Sequence, residues 1–210
     1  MVLLQLSCNS RELTTFNEMK SDEILSESFT NKELKELAKV VDFFESQICN
    51  YIQSETQTNC YVSFLKQDSI AHVNENIVQV LDYERQKELY RSIDSLVFKE
   101  LWEEGESTLY RGDKEFKVKH YYLRFFHSKY LGFVEKFAKE NKYIKEYIES
   151  ASIQIDFASI MAPFQLIISY NNFNFNDIKT RLVYAMYYVE FNETRIQPQK
   201  RRNESLKKKE

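Results

Sequence analysis

The sequence predicts a mainly α, single-domain helical bundle with one small β-hairpin or extended loop near residues 106–119. Three observations carry this expectation. Only three Gly and two Pro occur in 210 residues, too few for the many tight turns a strand-rich domain needs. Hydrophobic residues make up 43% and charged residues 29%, a balance that builds one core and excludes a disordered chain. Apolar side chains also recur at helical spacing along most of the chain.

The elements follow in order. Residues 1–29 are assigned to a signal remnant and tether, because positions 9–29 are rich in Ser, Thr, Asn and Glu. The helical domain is assigned to residues 30–195. Its first helix begins at Thr30, since Thr30 and Glu33 have capping-box spacing. Leu34, Leu37, Val41, Phe44, Ile48 and Ile52 then form one apolar face. A shorter helix is expected over 59–72, and 74–81 fits helix or strand equally. Residues 84–104 read as one helix, stopped by Gly105. Leu109, Tyr110, Phe116 and Val118 flank Arg111-Gly112-Asp113-Lys114, which reads as a turn between strands. Helices are expected to resume near Ser128 and over 142–150. Pro163 breaks the apolar window 153–170. A last helix runs over 175–192, and residues 196–210 form a disordered basic tail.

Charge is unevenly spread. Six cationic against two acidic residues give positions 200–210 a net +4; with −3 over the whole chain, the rest carries −7. An acidic body argues against a nucleic-acid-binding core, because phosphate neutralisation needs a basic face. No stretch of about 18 apolar residues marks a membrane-spanning helix.

Recognisable catalytic equipment is sparse. The three histidines, His72, His120 and His127, match no zinc motif. His120 and His127 would share a helix face but have no nameable co-ligands. Three scattered glycines make no phosphate loop, and no nucleophile elbow occurs. Glu103, Glu104 and Glu106 read as solvated charges at a helix end. No catalytic residue, metal site or cofactor is assigned. The expected binding surface is Tyr110, Arg111, Gly112, Asp113, Tyr121 and Tyr122, a turn flanked by the aromatic type favoured at interfaces. Arg111-Gly112-Asp113 is also a tripeptide that some surface proteins display to integrins, but Gly-Asp is ordinary turn chemistry.

The cysteines and the first residues bear on location. Met1 to Cys8 is a short apolar run ending Leu6-Ser7-Cys8, similar to the end of a bacterial lipoprotein signal in which the Cys is lipidated. No Lys or Arg precedes the run, as expected if the chain begins late. Cys49 and Cys60 enclose ten largely polar residues, and a turn between antiparallel helices there would bring them within disulfide range. The competing reading is three unrelated thiols in a cytoplasmic protein.

The Leu-Ser-Cys start, the segment Phe29-Thr30-Asn31-Lys32-Glu33-Leu34-Lys35-Glu36-Leu37 leading to Phe43-Phe44 and Ile48-Cys49, the pair Cys60-Tyr61, and the closing stretch from Asn172-Phe173 to Val189 resemble small lipoproteins of unassigned function from Bacteroidetes-type bacteria. The resemblance spans most of the chain and is diffuse. It implies a cell-envelope location and no activity. The resulting expectation is an envelope-anchored binding module for a protein or envelope component, held to the membrane through a lipid on Cys8. The alternatives are an immunity-type protein that neutralises a toxin through its acidic surface, and an enzyme whose site is assembled from scattered residues.

Overall fold

The computed structural model describes residues 13–73, 78–111, 114–124, 128–152 and 166–198. Helices dominate, and the sheet consists of one antiparallel hairpin. The mainly α architecture expected from the sequence is therefore the architecture found.

Residues 13–21 (α1) and Glu23–Ser28 (α2) are helical, a correction to the tether assigned to this stretch. Thr15, Met19, Leu25 and Phe29 are buried, so their near-helical spacing gives the segment a face that joins the core. Its polar majority hid that face. Asp22 caps α2 by accepting from the Leu25 N–H. The capping box at Asn31–Ile52 (α3) forms: Thr30 accepts from the Glu33 N–H, while the Glu33 carboxylate accepts from the Thr30 N–H at 2.7 Å.

Cys49 near the end of α3 and Cys60 in Gln57–Val73 (α4) are disulfide-bonded, with Cα atoms 4.9 Å apart. The link closes a short loop, worth about 3 kcal/mol in the chain-entropy model. Gln53 ends α3 in the left-handed region at φ 58°, returning its N–H to the Cys49 carbonyl.

The single helix expected over 84–104 is instead Tyr83–Ser92 (α5), Ser95–Leu101 (α6) and the start of a strand. Asp94 makes the break: its carboxylate accepts from the Leu96 and Val97 N–H groups and so starts a new helix. Gly105 is no helix stop; it lies inside Trp102–Arg111 (β1), which pairs with Lys114–Leu123 (β2) from Trp102↔Leu123 to Arg111↔Lys114. The hairpin is longer than expected because Glu103, Gly105 and Glu106 pair across it despite weak strand preference. Gly105 leaves room for the Tyr122 ring, which a Cβ there would meet at 2.7 Å and push aside.

Lys129–Ala138 (α7) and Lys142–Ser152 (α8) follow, capped by Ser128 and Asn141. Pro163 and the break expected there lie outside the described residues, as do residues 74–77 of the ambiguous segment and the tail from 199 onward.

The last helix, Ile178–Phe191 (α9), is the centre of the molecule. Every residue from Thr180 to Glu190 is buried, and α9 packs chiefly against α3. Tyr188 stacks on Phe44 at 5.2 Å, and Tyr184 meets Phe173 and Phe175 edge-on. A helix buried all round must neutralise its charges inside. Arg181, 2% exposed, donates through Nε to Glu45, which is 0% exposed, and pairs through Nη1 with Glu18. Burial works against the guanidinium charge, but Glu45, Tyr61 and Glu18 reverse that and hold its pKa above the ordinary arginine value. Tyr188 also donates to the buried Asp68 at 2.6 Å. Burial nonetheless raises the Asp68 carboxyl above its usual pKa; the Tyr188 bond and the His72 charge only partly offset it.

Two outcomes follow for stability. Arg181→Met leaves Glu45 charged in the core and should cost about 3–5 kcal/mol in urea unfolding. The double variant Glu45→Leu with Arg181→Met should recover at least half of that loss; equal losses in both would refute the assignment. Asp68 is an acid whose folded pKa is raised, so its contribution is complete below its unfolded value near 3.8 and is lost as pH rises through the folded value. Asp68→Asn should therefore gain stability relative to wild type between about pH 3 and pH 7; a constant difference across that range would contradict the assignment.

Candidate functional site

One face of α5, the base of the hairpin and the turn that follows the last helix meet around a half-open cleft of about 190 Å³. Tyr83, Lys87 and Tyr90 come from α5 at helical spacing, Glu104 from β1, Lys119, His120 and Tyr121 from β2, and Glu193 from the last turn.

Each wall is positioned by a local feature. Asp82 caps α5 through the Glu84 and Arg85 N–H groups, fixing where Tyr83 leaves the chain. The hairpin is fastened by four rings: Tyr90, Phe98, Trp102 and Tyr121 lie with centroids 5.0 to 5.6 Å apart, mostly edge to face. Trp102 and Leu123 close the base and are buried, while Glu115, Lys117 and Lys119 farther along β2 are exposed. After α9 the helix widens into a π-turn, Asn192–Ile196, a feature often found at functional sites. It brings Glu193 to the floor of the cleft.

Glu193 is 3% exposed and is held by neutral donors: the Tyr83 hydroxyl at 3.1 Å, the Tyr121 N–H at 3.4 Å and the Gln86 amide at 3.4 Å. Glu190, three residues earlier, accepts from the Leu123 N–H. Gln86 organises the rest. Its NH2 donates to the Val189 carbonyl and the Tyr90 hydroxyl, and its carbonyl accepts from Asn192, which in turn accepts from Gln197. Burial, joined by the Glu193 charge, pushes the Tyr90 hydroxyl well above the usual tyrosine pKa, so it stays protonated while it accepts from Gln86. At the mouth, Lys119 pairs with Glu104 at 2.5 Å; Lys87 pairs with Glu84 at 2.7 Å and lies over the Tyr83 ring at 5.2 Å.

Of the binding surface expected from sequence, Tyr121 alone lines this cleft. Tyr122 lies on the opposite face of the hairpin over Gly105, because neighbouring strand residues alternate. Tyr110 and Arg111 end β1 at the far tip, and Gly112 and Asp113 lie outside the described residues. The six residues are thus spread along the hairpin, and the structure does not gather them into one surface. His120 is in β2, not on a helix; its expected helical partner His127 lies outside the described residues, as does Cys8. Glu103, Glu104 and Glu106 are strand residues, each facing a cation: Arg124, Lys119 and Lys117. Sequence reasoning missed Tyr83, Lys87 and Glu193. The spacing of Tyr83, Lys87 and Tyr90 on one helical face was the available signal; Glu193 had none.

Among the described residues, no group of three or more His, Cys, Asp or Glu side chains is arranged to hold a metal ion, and no helix is long and apolar enough to cross a membrane.

Gln86→Leu keeps the volume but leaves the Tyr90, Val189 and Asn192 polar groups without their partner. The expected cost is about 2–3 kcal/mol in chemical denaturation; a change under about 0.5 kcal/mol would mean the network is not what holds the cleft floor.

No protein-family model, no curated protein and no solved structure matches the chain, so the chemistry of the cleft is what bears on function.

Proposed function

We propose that this chain is an extracytoplasmic binding protein, anchored through a lipid on Cys8, that takes a small ligand in the cleft between α5 and the hairpin. The observation that carries the reading is the cleft itself. Three tyrosines converge on it, and its floor is a buried carboxylate held in place by a hydrogen-bonded shell. Concave sites with a few fixed polar groups are the usual form of a small-molecule site, and rigid support of those groups reduces the ordering cost of binding.

The Cys49–Cys60 disulfide supports the location, since such bonds persist in oxidising compartments. The Leu6-Ser7-Cys8 start points the same way. The immunity-type reading draws less support. It needs an acidic face with charge to spare, and the acidic run on β1 is matched residue by residue with cations. The reading as an enzyme would need a reactive pair in the cleft, and Glu193 is occupied as a hydrogen-bond acceptor.

Intact mass of the protein from native membranes should show a diacylated species beginning at Cys8, and Cys49 and Cys60 should resist thiol reagents until reduced. An unacylated Met1 terminus with both thiols reactive would overturn the location. Binding is tested by thermal shift against a panel of neutral saccharides, amino acids, dicarboxylates and nucleoside phosphates. Stabilisation by at least one class is expected, and stabilisation by none would overturn the binding reading.

A further inference from the structure

The lining of the cleft also speaks to the ligand's chemistry. Its two lysines are each matched by a carboxylate, Lys119 by Glu104 and Lys87 by Glu84, and the Glu193 floor adds one negative charge. Glu193 is engaged in turn with the Tyr83 hydroxyl and the Tyr121 backbone. An anion would meet the Glu193 charge, and a cation would have to displace a donor that already holds that carboxylate or break a Lys–Glu pair. A neutral ligand with several hydroxyl groups would do neither. Each hydroxyl both donates and accepts, so it can bridge an existing Lys–carboxylate pair without breaking it.

The aromatic content agrees. Tyr83, Tyr90 and Tyr121 give the cleft rings with hydroxyl tips, so it has surface both for a C–H face and for hydroxyls. Tyr90 and Tyr121 are locked edge to face at 5.5 Å, and the rest of their ring cluster prevents them from collapsing into the space. At about 190 Å³ the cleft has room for one small ring, and being half-open it lets a chain continue outward.

We infer that the cleft binds one ring of a neutral saccharide, its hydroxyls on the Lys119–Glu104 pair and its carbon face against the tyrosines. The inference rests on the binding reading above and names its ligand class.

The single tryptophan supplies the readout. Trp102 lies 5.6 Å from Tyr90, one ring behind the cleft wall, so its emission should respond when the cleft fills. The full chain is titrated with neutral hexoses, N-acetylhexosamines and their short oligomers, each at low and high salt. Free amino acids, dicarboxylates and nucleoside phosphates serve as the comparison set. Saturable binding of a neutral sugar is expected, unchanged by salt because no net charge is buried. Glu104 is half exposed, so Glu104→Gln should keep the fold while weakening sugar binding by about tenfold. Tyr83→Ala should weaken it at least as much, with the melting curve confirming that each variant is folded.

Binding confined to a charged class, weakened by salt, would overturn the saccharide inference and leave the binding reading standing. Sugar binding untouched by both folded variants would place the sugar elsewhere and overturn the inference. Binding of nothing would overturn both.

Discussion

Burying α9 on every side is the constraint from which the rest of this structure follows. A helix with no solvent face cannot leave a charge to water, so Arg181 needs acids brought to it from other elements. Glu45 arrives from α3 and Glu18 from α1, and Tyr61 and Gln57 complete the shell around Glu45. That requirement draws the first described helix into the core and fixes the rotation of α3 against α9. The disulfide then ties the start of α4 to α3 beside the same cluster. Helices distant in sequence are thereby held in one arrangement.

At the other end of α9 the same burial serves the cleft. The π-turn lets Glu190 and Glu193 both face the hairpin, and Gln86 locks the turn to α5. The cleft walls therefore come from parts of the chain far apart in sequence but share one polar network. The ring cluster of Tyr90, Phe98, Trp102 and Tyr121 adds a dry hinge-side contact that keeps the hairpin from swinging freely about its base.

Much of the helical frame was legible from local rules. Thr30 with Glu33, the apolar stripe of α3 and the Cys49–Cys60 spacing each express short-range geometry, and the structure follows them. Ser128 and Asn141 mark helix starts for the same reason. The misreadings share a different cause. Periodicity runs unbroken through 84–104, yet Asp94 interrupts it with a side-chain cap, and cross-strand pairing converts a glutamate-rich stretch into β1. Met19 and Leu25 sit among polar residues, so their burial depends on partners that no local window contains. The cleft is harder still. Tyr83 and Glu193 meet across 110 positions, and nothing near Glu193 in sequence marks it as a floor residue rather than a solvated charge.

The placement of Glu190 and Glu193 has a consequence for how the protein behaves in a crowded compartment. A two-stranded ribbon is nearly all edge, and exposed edges recruit further strands. Along the inner half of β2, the N–H groups of Leu123 and Tyr121 point away from β1 and are taken by these two carboxylates, which occupy the place a third strand would fill. Farther out, alternating Lys117, Lys119, Glu104 and Glu106 make the ribbon costly to dock against. The turn after α9 thus acts as a stopper on the inner half of this edge, closing it to strand addition where the hairpin leaves the helical body.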